Sequence, residues 1–332
     1  MSTKNKVLEL LIEKGNRYTS GQQMAEELFV TRAAIWKAVK SLQNEGYPIE
    51  AVTNRGYRLI NTYSLPEANR IEQYIKTHCE NVAMDNIDIC VYDKVTSTND
   101  VIRSMTTSDV AVVIAGSQTA GRGRRGRTFF SPEGTGIYMS LLIHPDLSMQ
   151  KATSLTCIMA VAICRAIEKV VCKDTQIKWV NDIFYNGKKV AGILTEAVTS
   201  IEDGDLSYVI MGAGINLYEP FDGFPTEIKN SAGALLDSQM ESSLGSDLCG
   251  AIIASFFDIY NSGSKEYINE YRNRSMLIGN YVKVMQYQNE NDRAGNSYAY
   301  VEGIDDDCHL VVRYDDDKIE HLSTGEVSVI KY

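Results

Sequence analysis

The apolar positions at the start of the chain recur with the period of a helix. From Lys4 to Lys14 they are Val7, Leu8, Leu11 and Ile12, and Gly15 ends the run. Ser20 stands where a side chain caps a second helix, Gly21 to Leu28. Thr31 does the same for a third, which runs to about Glu45 with Ile35, Val39 and Leu42 as its inward row. Two β-like runs follow, Tyr47 to Val52 and Tyr57 to Ile60, with Thr53, Asn54, Arg55 and Gly56 as their turn. Three helices and a hairpin in about 60 residues describe a winged helix-turn-helix.

Asn61 to Leu65 reads as a linker, and Pro66 suits the first position of the next helix. Strands are expected at Ile87 to Tyr92, Ala111 to Ser117, Gly136 to His144, Gln176 to Val180, Lys189 to Ala197 and Tyr208 to Leu217. Helices fall between and after them, at Thr98 to Met105, Lys151 to Cys172, Asp247 to Tyr260 and Ser264 to Arg274. Within the longest of these, Leu155, Ile158, Ala162 and Ile163 form the row that faces a sheet. The last stretch changes character. Tyr281 to Tyr287, Tyr298 to Ile304, Leu310 to Tyr314, Ile319 to Leu322 and Val327 to Ile330 are short strands joined by acidic turns, the pattern of a small barrel. The chain is therefore an α/β (α+β) multidomain protein, divided at residues 1–63, 66–274 and 277–332.

Composition narrows the function. There is no apolar run of about 18 residues and no basic-then-apolar leader, so a cytoplasmic protein without membrane contact is expected. The seven cysteines are scattered, with no CxxC, which fits buried free thiols better than a disulfide framework or a zinc site. Net charge is −10, yet residues 1–63 hold nine Lys/Arg against six Asp/Glu. Only that segment has the local positive charge that nucleic acid requires. On its third helix Arg32, Trp36 and Lys40 share a row, with Lys37 beside them and Thr31 at the helix start. Arg55 and Arg58 lie on the hairpin. This set suits a helix in a major groove with backbone contacts from the wing. A solvated basic face on a protein-docking module satisfies the same pattern, and Trp36 equally suits packing under the wing.

The strongest chemical signal is GRGRRGR at 121–127, four arginines interleaved with Gly121, Gly123 and Gly126. Glycines let backbone amides approach an anion, and guanidinium groups bind phosphate in pairs. Such a loop is expected to be flexible and to order around a polyphosphate or acyl phosphate; an exposed basic loop is the plain alternative. In KWVNDIFYNGKKVAGIL, Asn186 and Gly187 form a two-residue turn that sets Lys189 at the start of a strand. Lys178 and Asp182 then stand at the end of the preceding strand. A lysine near a carboxylate substrate and an aspartate near a phosphate-bound magnesium ion are what acyl activation by ATP needs. Without the neighbouring motifs this is an ordinary charged hairpin. GAGINL at 212–217 ends an apolar strand as a tight strand end against a ligand or merely as a bulge, and TSTND at 96–100 reads as a helix start whose hydroxyls cap the helix by default or bond a polar ligand ring.

Together, STN at 97–99, Gln118 with GRGRRGR, KWVND with KKVAGIL, GAGIN, and GEVSV at 325–329 resemble the bifunctional biotin protein ligases and biotin-operon repressors, the BirA family, from end to end. The resemblance implies a class II synthetase-like biotin/lipoate ligase fold in the centre and an SH3-like barrel at the end. It implies ATP-dependent formation of biotinyl-5′-AMP, with Mg2+, and transfer of biotin to a lysine of a biotin carboxyl carrier protein. Ser97, Thr98 and Gln118, with backbone of Gly121 and Arg122, would hold the ureido head, and Asn99 belongs to the same ligand set. Arg122, Arg124 and Arg125, with Gly123 and Gly126, belong to the loop that folds over the adenylate.

Lys189 matches the lysine at the biotin carboxylate and α-phosphate. Asn181 and Asp182 match the nucleotide and metal side, with Asp182 the metal ligand. Gly192 and Gly214 line the ligand, Asn216 lies at the nucleotide end, and Lys178 assists the second transfer. Arg122, Arg124, Lys178 and Lys189 form the catalytic set. Val180 replaces the proline of the usual KWPND. Operator DNA and a homodimer formed on adenylate binding, with its sheet edge near Gly136 to Ile143, complete the implied partners. Two rivals differ in class: a ligase whose winged helix does not repress, and a DNA-binding biotin sensor without catalysis.

Overall fold

A computed structural model describes residues 2–14, 17–45, 47–59, 65–79, 87–145, 152–199, 206–220, 222–236, 243–289, 292–323 and 326–329. The chain divides into two compact units, Met1–Ser64 with Leu236–Ser242, and Leu65–Leu235 with Ser243–Tyr332. The stretch 277–332, expected as a domain of its own, stands in the second unit.

The first unit contains α1 (Thr3–Glu13), α2 (Gly21–Glu27), α3 (Arg32–Asn44), β1 (Ile49–Val52) and β2 (Gly56–Leu59). Ser20 and Gln23 cap α2 reciprocally, side chain to backbone in each direction, and Thr31 Oγ1 accepts from the backbone of Ala34 to open α3. Val7, Leu11, Met24, Ile35, Val39 and Leu42 meet as its core. The helix α2 ends with Val30 N donating to Ala25 O (3.0 Å) and Phe29 N to Glu26 O (3.3 Å), which places Phe29 at φ 54°. The two strands pair antiparallel, Ile49 opposite Leu59, and Thr19 bridges Tyr57 alongside. Gly15, Ile60 and linker residues 61–64 lie outside the described residues.

The second unit is built on seven strands in the order β3-β4-β5-β9-β8-β7-β6: β3 (Ile87–Tyr92), β4 (Val110–Ala115), β5 (Gly136–Ile143), β6 (Gln176–Lys178), β7 (Asp182–Tyr185), β8 (Lys188–Thr199) and β9 (Leu206–Asn216). Among the described strands only β3 and β4 run parallel. Helix α6 (Ala152–Val171) is apolar nearly all round, because it is enclosed by the sheet, α7 (Leu244–Ser262) and α8 (Glu266–Asn273). Leu155, Ile158, Ala162 and Ile163 are all buried on it. Five further strands, β10 (Tyr281–Asn289), β11 (Asp292–Ile304), β12 (Leu310–Tyr314), β13 (Ile319–Leu322) and β14 (Glu326–Val329), form an antiparallel sheet in the order β13-β12-β11-β10-β14.

Three expectations are corrected. Pro66 precedes the helix α4 (Ala68–His78), whose cap position is Glu67, so it lies two residues outside the first turn. β5 is no sheet edge: β4 and β9 occupy both of its sides, and all eight of its residues are buried. Gln176 to Val180 is not one strand either. β6 stops at Lys178, because Trp179 and Val180 turn inward, Trp179 Nε1 donating to Cys308 O (2.9 Å) and Tyr271 Oη to Val180 O (3.0 Å). Asp182 therefore opens the strand that leads into the Asn186-Gly187 turn, instead of standing with Lys178 at the end of one strand. The Trp179–Val180 peptide bond is cis. Among the described residues no helix is long and apolar enough to cross a membrane.

Candidate functional site

A cavity of about 450 Å³ opens where α5 (Thr98–Ile102), the arginine segment and the ends of β6 to β9 converge; Ile228, Ser231, Met285 and Val327 complete its wall. One end is uncharged. Ser97, Thr98 and Asn99 are buried there at the start of α5. Ser97 holds the cap position, yet its side chain makes no capping bond. Gln118 replaces it: Oε1 accepts from Thr98 N (2.9 Å) and Thr98 Oγ1 (3.2 Å), while Nε2 donates to Ser131 Oγ (2.8 Å). Ser97 thus holds the cap position through its backbone alone, without the side-chain cap expected by default, and it lines the cavity. The floor is β9, where a side chain at either of two glycines would displace a neighbouring one. A Cβ at Gly212 would stand 2.3 Å from Asn99 Oδ1, and one at Gly214 2.4 Å from the ring of Phe129.

The arginine segment forms one side wall. Phe129 N donates to Gly121 O (2.9 Å) and Gly123 N to Arg127 O (2.7 Å), closing a short hairpin. Its tip is a single 3-10 turn, with Arg125 at φ 57° and Gly126 at φ 70°. Arg122 and Arg124 line the cavity; Arg125 and Gly126 at the tip do not. Arg122 Nη1 donates to Asp100 Oδ1 (2.9 Å), and Arg124 Nη1 to Asn181 Oδ1 (3.0 Å), joining the hairpin to the KWVND turn.

The other end is charged. The Asn186-Gly187 turn is left-handed at both residues (φ 49° and 74°), and the strand it opens brings Lys189 Nζ to 2.6 Å from Asp182 Oδ1. That contact has ion-pair distance without hydrogen-bond angles. Lys178 stands opposite Asp182 in the β6–β7 register. Asp182 is the one carboxylate among the described lining residues, and no group of three or more His, Cys, Asp or Glu among the described residues is placed to hold a metal ion. A resident metal centre does not fit. A magnesium ion carried by a triphosphate, needing one carboxylate from the protein, does.

Most of the residues singled out in the sequence meet in this cavity, Gly192 among them. Two others sit behind it. Gly121 is packed against Phe129 O and Ser131, and Asn216 Nδ2 donates to Gly233 O (3.0 Å), tying the end of β9 to the Ser231 segment. Phe129, Trp179, Phe184 and Ser231 were missed. Phe129 has a signal in its position directly after the arginine run; Ser231 has none, since a loop distant in sequence delivers it.

On the first unit, Arg32, Lys37 and Lys40 are exposed along α3, and Trp36 between them is 54 % exposed, so it does not pack under the hairpin. Thr31 is spent on the α3 cap. Arg58 is held by Glu50 (2.5 Å) and lies 4.6 Å from the Tyr18 ring, while Arg55 is 5.6 Å from the same ring.

Residues 89–216 match the biotin/lipoate A/B protein ligase family, residues 3–58 an HTH domain and residues 291–329 the biotin protein ligase C-terminal domain. Among solved structures, the biotin protein ligase of Aquifex aeolicus in complex with biotin and ATP shares the fold at a TM-score of 0.60 and 23 % identity, over 74 % of this chain and 99 % of that one. The bifunctional ligase/repressor BirA of Bacillus subtilis is 38 % identical over 232 residues, 69 % of each chain, and that of Bacillus spizizenii 37 % over 238 residues, 71 % of each. By this similarity and its three matched segments, the chain belongs to the family of bifunctional biotin ligase/repressors of the BirA type.

Proposed function

We propose that this chain is an ATP-dependent biotin protein ligase that also represses biotin genes. The observation that carries the reading is one cavity with a hydrogen-bonding end at Ser97, Thr98 and Gln118 and a charged end at Lys178, Asp182 and Lys189, with Arg124 held at Asn181 and Arg122 held beside α5 at Asp100. A vitamin with a polar ring and a carboxylate tail matches that polarity, because each buried polar atom of the ring needs a partner and the tail needs cations.

In the first step the biotin carboxylate attacks the α-phosphorus of ATP, pyrophosphate leaves, and biotinyl-5′-AMP remains. Lys189 turns from Asp182 to the reacting oxygens, and Asp182 is the residue that would hold the magnesium accompanying the nucleotide. Magnesium supplies charge neutralisation on the phosphates when bound. Arg122 and Arg124 stabilise the charge that accumulates and keep water from the mixed anhydride. In the second step the uncharged ε-amine of a carrier lysine attacks the anhydride carbonyl and AMP departs; Lys178 assists. The reaction belongs in the cytoplasm, where all seven cysteines remain free thiols.

The exposed cations of α3 suit operator DNA. Beyond Ile193, β8 is paired with β9 alone among the described strands, while its first half lines the cavity. Ligand and a dimeric partner would therefore act on one strand, which gives adenylate-linked dimer formation a physical route. Transfer of labelled biotin to a biotin carboxyl carrier domain, dependent on ATP, tests the enzyme; absence of transfer removes it. A gel-shift titration on the promoter of the biotin genes, with and without biotin and ATP, tests repression; a shift indifferent to both ligands removes the linkage.

A further inference from the structure

Glu196 belongs to no motif and lies outside the cavity wall, yet its carboxylate joins two parts of that wall. Oε2 accepts from Asn99 Nδ2 (2.7 Å); Oε1 accepts from Arg103 Nη2 (2.8 Å) and stands 3.4 Å from Arg122 Nη2. The opposite end of the Asn99 amide is held as well, since Ser140 Oγ donates to its Oδ1 (2.6 Å) directly above Gly212. A carboxylate only accepts hydrogen bonds, so an inverted Asn99 would set oxygen against oxygen at Glu196. Asn99 is thereby fixed in one orientation beside Thr98. The carboxylate that fixes it also tethers Arg122, the first guanidinium of the arginine hairpin. Glu196 is 20 % exposed, half as much as Arg103 (41 %) or Arg122 (42 %); removal of its charge ends both of its arginine pairs and leaves Arg122 with the single hydrogen bond to Asp100 (2.9 Å).

We propose that Glu196 is a positioning residue that couples the head-group end of the cavity to the arginine hairpin: it orients Asn99 for biotin and seats Arg122 for the adenylate. This rests on the ligase reading above. Two variants separate the two tasks. In Glu196→Gln the side-chain oxygen still accepts from Asn99, while the amide nitrogen faces the arginines. Glu196→Ala loses both functions.

The experiment is steady-state adenylate formation from biotin and ATP by the full chain, followed by dissociation of preformed biotinyl-5′-AMP. For Glu196→Ala the expected result is a KM for biotin raised about tenfold or more with kcat within about threefold, and adenylate loss faster by about tenfold. For Glu196→Gln the KM returns close to that of the unmodified chain while adenylate loss stays fast. Adding Glu196→Gln to a chain that already carries Arg122→Ala causes no further adenylate loss, because Glu196 acts on the adenylate through that guanidinium. The proposal is overturned if both variants keep the original KM and dissociation rate, or if Gln and Ala fall together in kcat alone, the mark of a merely structural residue. An unmodified chain that forms no adenylate overturns the ligase reading itself, and the positioning role with it.

Discussion

Lys189 and Asp182 satisfy each other's charge in the protein as it stands, with 34 % and 24 % of their side chains exposed. Such a pair keeps a cation poised in a cavity otherwise rich in cations. Lys189→Met removes the charge and retains most of the length. It is expected to slow adenylate formation by about 10²–10³-fold, the usual effect of losing one preorganised charge stabiliser, read as pyrophosphate release. Arg124→Gly should differ in kind. It leaves Lys189 in place and breaks the contact with Asn181, so adenylate still forms but escapes, which a filter-binding chase would measure. At this scale the sequence is most informative where chemistry demands charge: Arg122, Arg124, Lys178, Asp182 and Lys189 all reach one cavity. It says less about contacts that serve geometry: Gly121 packs against Phe129 O and Ser131, and Asn216 Nδ2 donates to Gly233 O, and nothing in their immediate neighbours announces either.

Elements repeat that lesson in their ends. Helix starts were legible because Ser20 and Thr31 carry the cap in the local sequence, whereas the cap of α5 comes from Gln118, twenty residues away. The start of β7 escaped notice because the turn before it depends on Cys308 and Tyr271, which no local pattern reveals. The end of α2 offers a direct test. Phe29 occupies a left-handed conformation at 95 % exposure, so its side chain gains no packing to offset the strain. Phe29→Gly should stabilise the first unit by about 1 kcal/mol, seen as slower hydrogen exchange of the buried α3 amides.

The α6–α8 contact gives a test in pH. Burial pushes the Glu270 carboxyl up, but hydrogen bonds from Arg165 and Arg274 outweigh it, and its folded pKa lies below the ordinary 4.5. A depressed carboxyl contributes stability above its unfolded pKa and loses it as pH falls through the folded value. Melting temperatures followed downward from pH 6 should therefore drop through this range, and Glu270→Gln should flatten that limb.

For the molecule as a whole, charge separation sets the terms of DNA binding. A net charge of −10 repels a duplex, so association must proceed through the exposed cations of the first unit. Arg32, Lys37, Lys40 and Arg55 are exposed there, while Arg58 is already neutralised by Glu50. Four phosphate contacts per copy imply a slope of log K against log salt near −3.6 for one copy and about −7 for two. Measured with biotin and ATP present, the steeper value is expected if the proposed dimer forms, because it would place two winged helices on one duplex. Omission of either ligand should return the shallower one. Glu50→Gln frees Arg58 and should steepen the slope by about one per copy. A slope that stays near zero under all these conditions would assign the basic face to a protein partner instead, the alternative that the sequence pattern by itself leaves open.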